Sequence, residues 1–138
     1  MSAKKVVFID HLSLHHIDLF VRGELDGPSA REIRHLVDSL LLPETRHIGI
    51  NFRRCEEFRG MGLRVLLDFI SEMEDRGLSL ELSGIAKDCL GPFQDTLEVN
   101  KHNIWNEGRE LYSIFMVGRT KCEAPLVEIL GRRSIDDG

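Results

Sequence analysis

Between residues 4 and 21 apolar positions come and go with the two-residue period of a strand lying on a core. "KKVVFID" predicts a first strand. After the polar "HLSLHH", the stretch "IDLFVRG" predicts a second, in which Ile17, Leu19 and Val21 share one face, so the two should pair as a hairpin. The period then changes: "GELDGPSAREIRHLVDSLLL" sets Ile33, Leu36, Val37, Leu40 and Leu41 on a helical stripe, with Ser29 and Glu32 spaced as a capping box. This first helix is expected to start near Pro28 or Ser29 and to end before Pro43. "RHIGINF" returns to alternation through Ile48, Ile50 and Phe52 as a third strand.

From Gly62 the positions Leu63, Leu66, Leu67, Ile70 and Met73 recur at helical spacing, and Val65 and Phe69 widen the apolar face. This second helix should end at Gly77 as its C-terminal cap, and "LSLELSG" follows as a fourth strand. Gly91-Pro92 then interrupts the pattern; a third helix is expected from Pro92, with Phe93 and Leu97 inward. "ELYSIFMVG" fits a strand better than a helix by its aromatic and β-branched content. A short last helix is expected around "PLVEILGRR", with Pro125 in its first turn, before a frayed "SIDDG" tail. Strands interleaved with helices predict an α/β layer: a mixed sheet with an antiparallel N-terminal hairpin and right-handed helical crossovers between the later strands.

Composition narrows the function classes. The 138 residues, 42% of them apolar, suit one domain with one core, taken here as 1–138. A net charge of -5, with 30% charged residues of both signs interspersed, provides no basic stripe for nucleic acid. The apolar run near the N-terminus is too short for a signal peptide, and no later stretch is long enough to cross a bilayer, so a cytoplasmic protein without membrane insertion is expected. Cys55, Cys89 and Cys122 are odd in number, far apart and outside any Cys-x-x-Cys spacing, which predicts reduced thiols.

The candidate chemistry is sparse. In "EEFRGMGLRVLL", Gly60-Met61-Gly62 opens a helix, and such a corner can aim backbone N–H groups at an anion or can simply be a tight turn. A nucleotide P-loop would need a lysine and a hydroxyl where Leu63 and Arg64 stand, and the third glycine of a dinucleotide fingerprint is missing. Arg59 and Arg64 leave room for a smaller anion. His11, His15 and His16 read as a polar hairpin tip rather than metal ligands, since the strand pattern denies them one helical face. Cys55, beside Glu56 and Glu57, lies where carboxylates oppose a reactive thiolate. No nucleophile–base set emerges, so no enzyme, cofactor or metal is expected.

The stretch "RGELDGPSAREIRHLVDSLL" resembles the STAS domain, the module shared by anti-sigma-factor antagonists and sulfate-transporter tails. Gly23-Glu24-Leu25-Asp26 and the helix from Ser29 match its first landmark. "HIGINFRRCEEFRGMGLRVLLDFISEMEDRGLSLEL" has the layout of its second: alternating strand, Asp-Ser-Ser-Gly-Leu-Gly turn, and apolar helix ending in glycine. The resemblance covers approximately residues 5 to 100 and implies a STAS-like mixed sheet of four to five strands, with helices mainly on one face. A strand and helix over about 109–133 would extend the minimal domain, and an added edge strand would either cover the sheet or pair with another copy in a homodimer. By this alignment Arg59, Gly60 and Met61 replace the family's aspartate, first serine and phosphorylated serine. In the family's antagonists a partner kinase phosphorylates that serine and the added charge breaks the complex. Met61 has no hydroxyl, so the usual switch is missing from its usual place.

The resemblance therefore implies a non-enzymatic interaction module for signal transduction and transcription regulation. It would dock a regulatory protein, by family analogy a kinase-fold anti-sigma factor, through Arg59, Gly60, Met61, Gly62, Arg64 and Asp26. Met61 is either an exposed anchor or a core residue; both readings stand at this level. Two other functions remain open: a small-anion or nucleotide sensor using Arg59, Arg64 and the Gly60–Gly62 backbone, and an accessory subunit of a transport complex.

Overall fold

The computed structural model describes residues 5–86, 99–104 and 112–125. The predicted hairpin is present: β1 (Val7–Leu12) and β2 (His16–Leu25) pair antiparallel, with Phe8 opposite Phe20. Ile17, Leu19 and Val21 turn inward and are buried. α1 (Gly27–Leu40) starts earlier than the Ser29–Glu32 box predicts. Its cap is Asp26, whose Oδ1 accepts the Ser29 amide at 2.9 Å, so Ser29 is the residue being capped. Pro28 falls in the first turn, where no amide hydrogen is required.

β3 (His47–Phe58) continues past the expected end at Phe52 and pairs parallel with β2. The register slips twice, between Phe20 and Arg22 and between Gly23 and Glu24, so β3 carries more residues than its neighbour. Arg53 and Arg54 are consequently both exposed before Cys55 turns inward, which destroys the alternation a sequence pattern relies on. α2 (Gly60–Asp75) begins at Gly60 rather than Gly62. It ends as expected at Gly77, whose φ of 81° lets its amide donate to Glu74 O and the Leu78 amide to Met73 O, closing a Schellman motif. β4 (Ser79–Ser83) follows and pairs parallel with β3.

The later segment adds β5 (Val99–Ile104), β6 (Tyr112–Val117) and β7 (Thr120–Pro125). β6 is the strand expected from "ELYSIFMVG", whereas β5 and β7 were not predicted. Pro125, expected in the first turn of a last helix, is instead the final residue of β7. The remainder of that helix, and the helix expected from Pro92, lie outside the described residues. β7 escapes notice because its inward positions, Thr120, Cys122 and Ala124, are small, while Lys121 and Glu123 face outward.

The described strands form one sheet of seven, ordered β1-β2-β3-β4-β7-β6-β5, a mixed sheet of more strands than the four to five expected. Pairing is parallel from β2 through β3 and β4 to β7, and antiparallel on both flanks. The core brings Ala30, Ile33 and Val37 of α1 and Leu66, Phe69, Ile70 and Met73 of α2 together with Ile48, Ile50, Phe52, Leu80 and Leu82 of the strands. Each such large side chain contributes about 1.5–3 kcal/mol when fully buried, so this layer dominates stability. The opposite strand positions, among them Asp18, Phe20 and Glu81, keep part of their surface exposed.

Candidate functional site

Two stretches far apart in sequence meet at one corner: the β2–α1 turn, Glu24 to Gly27, and the start of α2. The Arg59 amide donates to Leu25 O at 2.9 Å, which fixes the entry to the helix. A Cβ built on Gly62 would lie 2.1 Å from Leu25 O and 2.9 Å from the Asp26 carbonyl carbon. Gly62 is therefore required by close backbone approach rather than by turn geometry, since among the described residues positive φ is confined to Gly23, Gly77, Gly84 and Gly118. Gly60 is exposed, and a Cβ there would meet nothing within 4 Å. The two glycines of the corner thus differ: Gly62 is required by a close contact, and Gly60 is free of one.

Met61 is 58% exposed, which settles its two readings in favour of the surface. Its side chain lies over Gly27, where an added Cβ would come within 2.9 Å of Met61 Cγ. Beside it runs a groove between the helices, lined by Arg31, Arg34 and His35 of α1 and by Arg64, Val65 and Phe69 of α2. Arg64 also borders a hollow on the other side of α2, towards Val117 and Gly118.

Arg59 is not a free anion ligand. Its Nη2 donates to Glu24 Oε1 at 3.1 Å and lies 3.8 Å from Glu57 Oε1, and that hydrogen bond to Glu24, then the charges of both carboxylates, hold its pKa above the ordinary value. A free anion at this point would meet two carboxylates already in place. Asp26 is committed as well: hydrogen bonds from the Ser29 side chain and amide hold its carboxyl below the usual 3.8. Because its folded pKa is depressed, this contribution to stability is present above that value and disappears as pH falls through it. Asp26→Ala should cost about 1 kcal/mol at neutral pH, the usual worth of an N-cap. The gap between mutant and wild type in urea titrations should narrow towards pH 3.

The remaining candidates have structural roles. The His15 Nδ1–H donates to Glu44 O at 2.9 Å, and the Arg46 and His47 amides donate to His15 O, tying the hairpin tip to the α1–β3 connection. Among the described residues no three His, Cys, Asp or Glu are grouped to hold a metal ion. Cys55 and Cys122 are buried free thiols; Cys55 lies within β3 rather than at its end. Burial, then the Glu74 charge, push the Cys122 thiol up to about 12. Thiol-reactive labelling of the native protein at pH 8 should therefore leave Cys122 unmodified by site-resolved mass spectrometry, while labelling in urea should modify it fully.

Sequence reasoning missed Glu24 and Glu57 as partners of Arg59, Gly27 as the seat of Met61, and the basic side of the groove. The last was visible in principle: Arg31, Arg34 and His35 follow i, i+3, i+4 spacing and so share one face of α1.

The sequence matches the family model of the STAS domain over residues 5–106. Among solved structures the chain is similar to the anti-sigma factor antagonist SpoIIAA in its unphosphorylated form, with a TM-score of 0.53 and 19% identity, covering 64% of this chain and 81% of that one. A likeness at that identity speaks to the fold alone. No curated protein matches the sequence.

Proposed function

Since the chain belongs to the STAS domain family, we propose that it is a non-enzymatic interaction module that docks a regulatory protein through the corner where α2 meets the β2–α1 turn. Arg59, Gly60, Met61, Gly62, Arg64 and Asp26 form or support that surface. The observation that carries the reading is Met61: a large apolar side chain, 58% exposed, seated on Gly27 where the two family landmarks converge. An exposed methionine adapts to varied apolar partners, and charged groups around it supply orientation. The partner, by analogy with the named function of the structural neighbour, is a kinase-fold anti-sigma factor or a similar regulator, met in the cytoplasm. With no hydroxyl on residues 59 to 62, the docking corner works without the serine switch. Among the described residues no helix is long and apolar enough to cross a membrane. The anion-sensor reading loses ground because Arg59 is held by Glu24 and Glu57.

Met61→Asp tests the proposal. The new carboxylate sits at an exposed helix start, so the melting temperature should stay near wild type, within the roughly 0.5 kcal/mol typical of surface changes. Proteins retained from cell extract by the immobilised wild-type chain, quantified by mass spectrometry, should include one whose binding falls at least tenfold with the mutant. A stable mutant that retains the same proteins equally well would place residue 61 outside the interface.

A further inference from the structure

The sheet face opposite the helices is organised in three rows. Along β2 it presents Asp18, Phe20 and Arg22, alternating with the buried Leu19 and Val21. On β1, Phe8 stands opposite Phe20, and the two rings stack at 4.9 Å with their planes 10° apart. On β3, Asn51 is level with Phe20 and Arg54 is level with Arg22. Glu81 of β4 shares the level of Asp18 through Gly49. Asp10, Asp18, His47 and Glu81 line one shallow hollow of this face.

The face thus has an acidic row, an aromatic centre and a cationic row. The cations close over the aromatic pair: Lys5 Nζ and the Arg22 guanidinium each lie 5.2 Å from the Phe8 ring, and Arg54 lies 5.3 Å from the Phe20 ring. Lys5, Arg22, Arg54, Asp10 and Asp18 have no ion-pair partner among the described residues. Glu24, beyond the cationic row, is held by Arg59, and Lys121 stands at the far end of the acidic row beside Glu81.

Asp18 and Arg22 are each two residues from Phe20 along the strand, about 7 Å on either side. A two-fold axis running across the strands at the level of Phe20 therefore lays the acidic row of one molecule on the cationic row of another, with the ring pairs at the centre. That is the geometry of an isologous interface, self-complementary in both charge and shape of pattern. We propose that this face pairs with the same face of a second copy of the chain, strands antiparallel, with Arg22 of each copy set against Asp18 of the other, Lys5 set against Asp10, and Arg54 flanking the Arg22–Asp18 pair. The pairing leaves the Met61 corner, on the helix side, open on both copies, so it stands independently of the docking function.

The test is the mass of the full chain in solution, by light scattering after size exclusion and by sedimentation. At about 200 µM and 50 mM salt the wild type should run at twice 15.8 kDa, dissociating as salt is raised and the charges are screened. Arg22→Glu and Asp18→Arg should each give a folded monomer, because each places like charges across the axis. Mixed one to one, the two variants should recover the dimer, since each then offers the charge that the other lacks; misfolding cannot produce that recovery. A wild type that stays monomeric at 200 µM overturns the proposal without recourse to any variant. So does a dimer that survives both single substitutions, or a mixture of folded variants that fails to pair.

Discussion

Gly62→Ala should destabilise the protein by about 3 kcal/mol, the upper end of the usual cost of forcing an extra methyl into a packed contact. The methyl would lie 2.1 Å from Leu25 O and 2.7 Å from the Leu25 carbonyl carbon, both backbone atoms that no rotamer change can move aside. Either α2 must lift off the β2–α1 turn or the turn must give way, and the Arg59–Leu25 hydrogen bond goes with it. A drop of about 10 °C in melting temperature is expected for a chain of this size. Gly60→Ala supplies the control: its Cβ meets nothing, its φ is not positive, and alanine is the better helix former, so stability should hold or rise by up to about 1 kcal/mol. If both substitutions cost the same, the distinction between a contact glycine and a free one is wrong.

Glu74→Ala should be similarly damaging, but locally. The Glu74 carboxylate accepts the Arg119 amide at 2.7 Å and the Thr120 hydroxyl at 2.6 Å, while Arg119 Nη2 donates to Glu74 O. Gly118, with φ of 61°, turns the β6–β7 hairpin directly against this carboxylate. Thr120 is fully buried, so removing the acceptor strands its hydroxyl, and bonds to a charged acceptor contribute about 1.5–3 kcal/mol each. A loss of about 3 kcal/mol in denaturant is expected. Hydrogen exchange should accelerate first in residues 112–125 while β3 keeps its protection. Glu74→Gln, which retains one acceptor oxygen, should recover part of the loss. Uniform acceleration across the chain would show that the hairpin is not separately tethered by this residue.

The parts legible in the sequence are those where one face alone is apolar. Ile17, Leu19 and Val21, and likewise Leu66, Phe69, Ile70 and Met73, declare their elements because burial on a single side writes a period into the chain. Where burial is met by small residues the period vanishes, as in β7, and where a strand bulges it breaks, as at Arg53 and Arg54 in β3. The first helix cap differs from the one the sequence suggests because Asp26 and Ser29, three residues apart, are both competent caps, and only the backbone turn decides between them. The corner between the β2–α1 turn and α2 is marked in the sequence by its two landmarks, yet the reason for Gly62 is not, since a close approach between distant segments leaves no trace in local pattern.

The place of β7 in the sheet imposes an order on synthesis. β4 is complete at Ser83, but its outer neighbour is β7, paired through Glu81 to Lys121 and Leu82 to Cys122. As the chain leaves the ribosome, the strands and helices up to β4 can close around their own core while the outer edge of β4 still waits for a strand made some forty residues later. During that interval the edge offers unpaired amides and carbonyls to any extended segment nearby, including the same edge on another nascent chain of a crowded polysome. The short hairpin turn at Gly118 shortens the final step, because once β6 exists, β7 follows within a few residues and both can be laid down together. A chain cut between β4 and β7 would keep that edge open permanently, so premature termination there should give inclusion bodies rather than a smaller soluble protein.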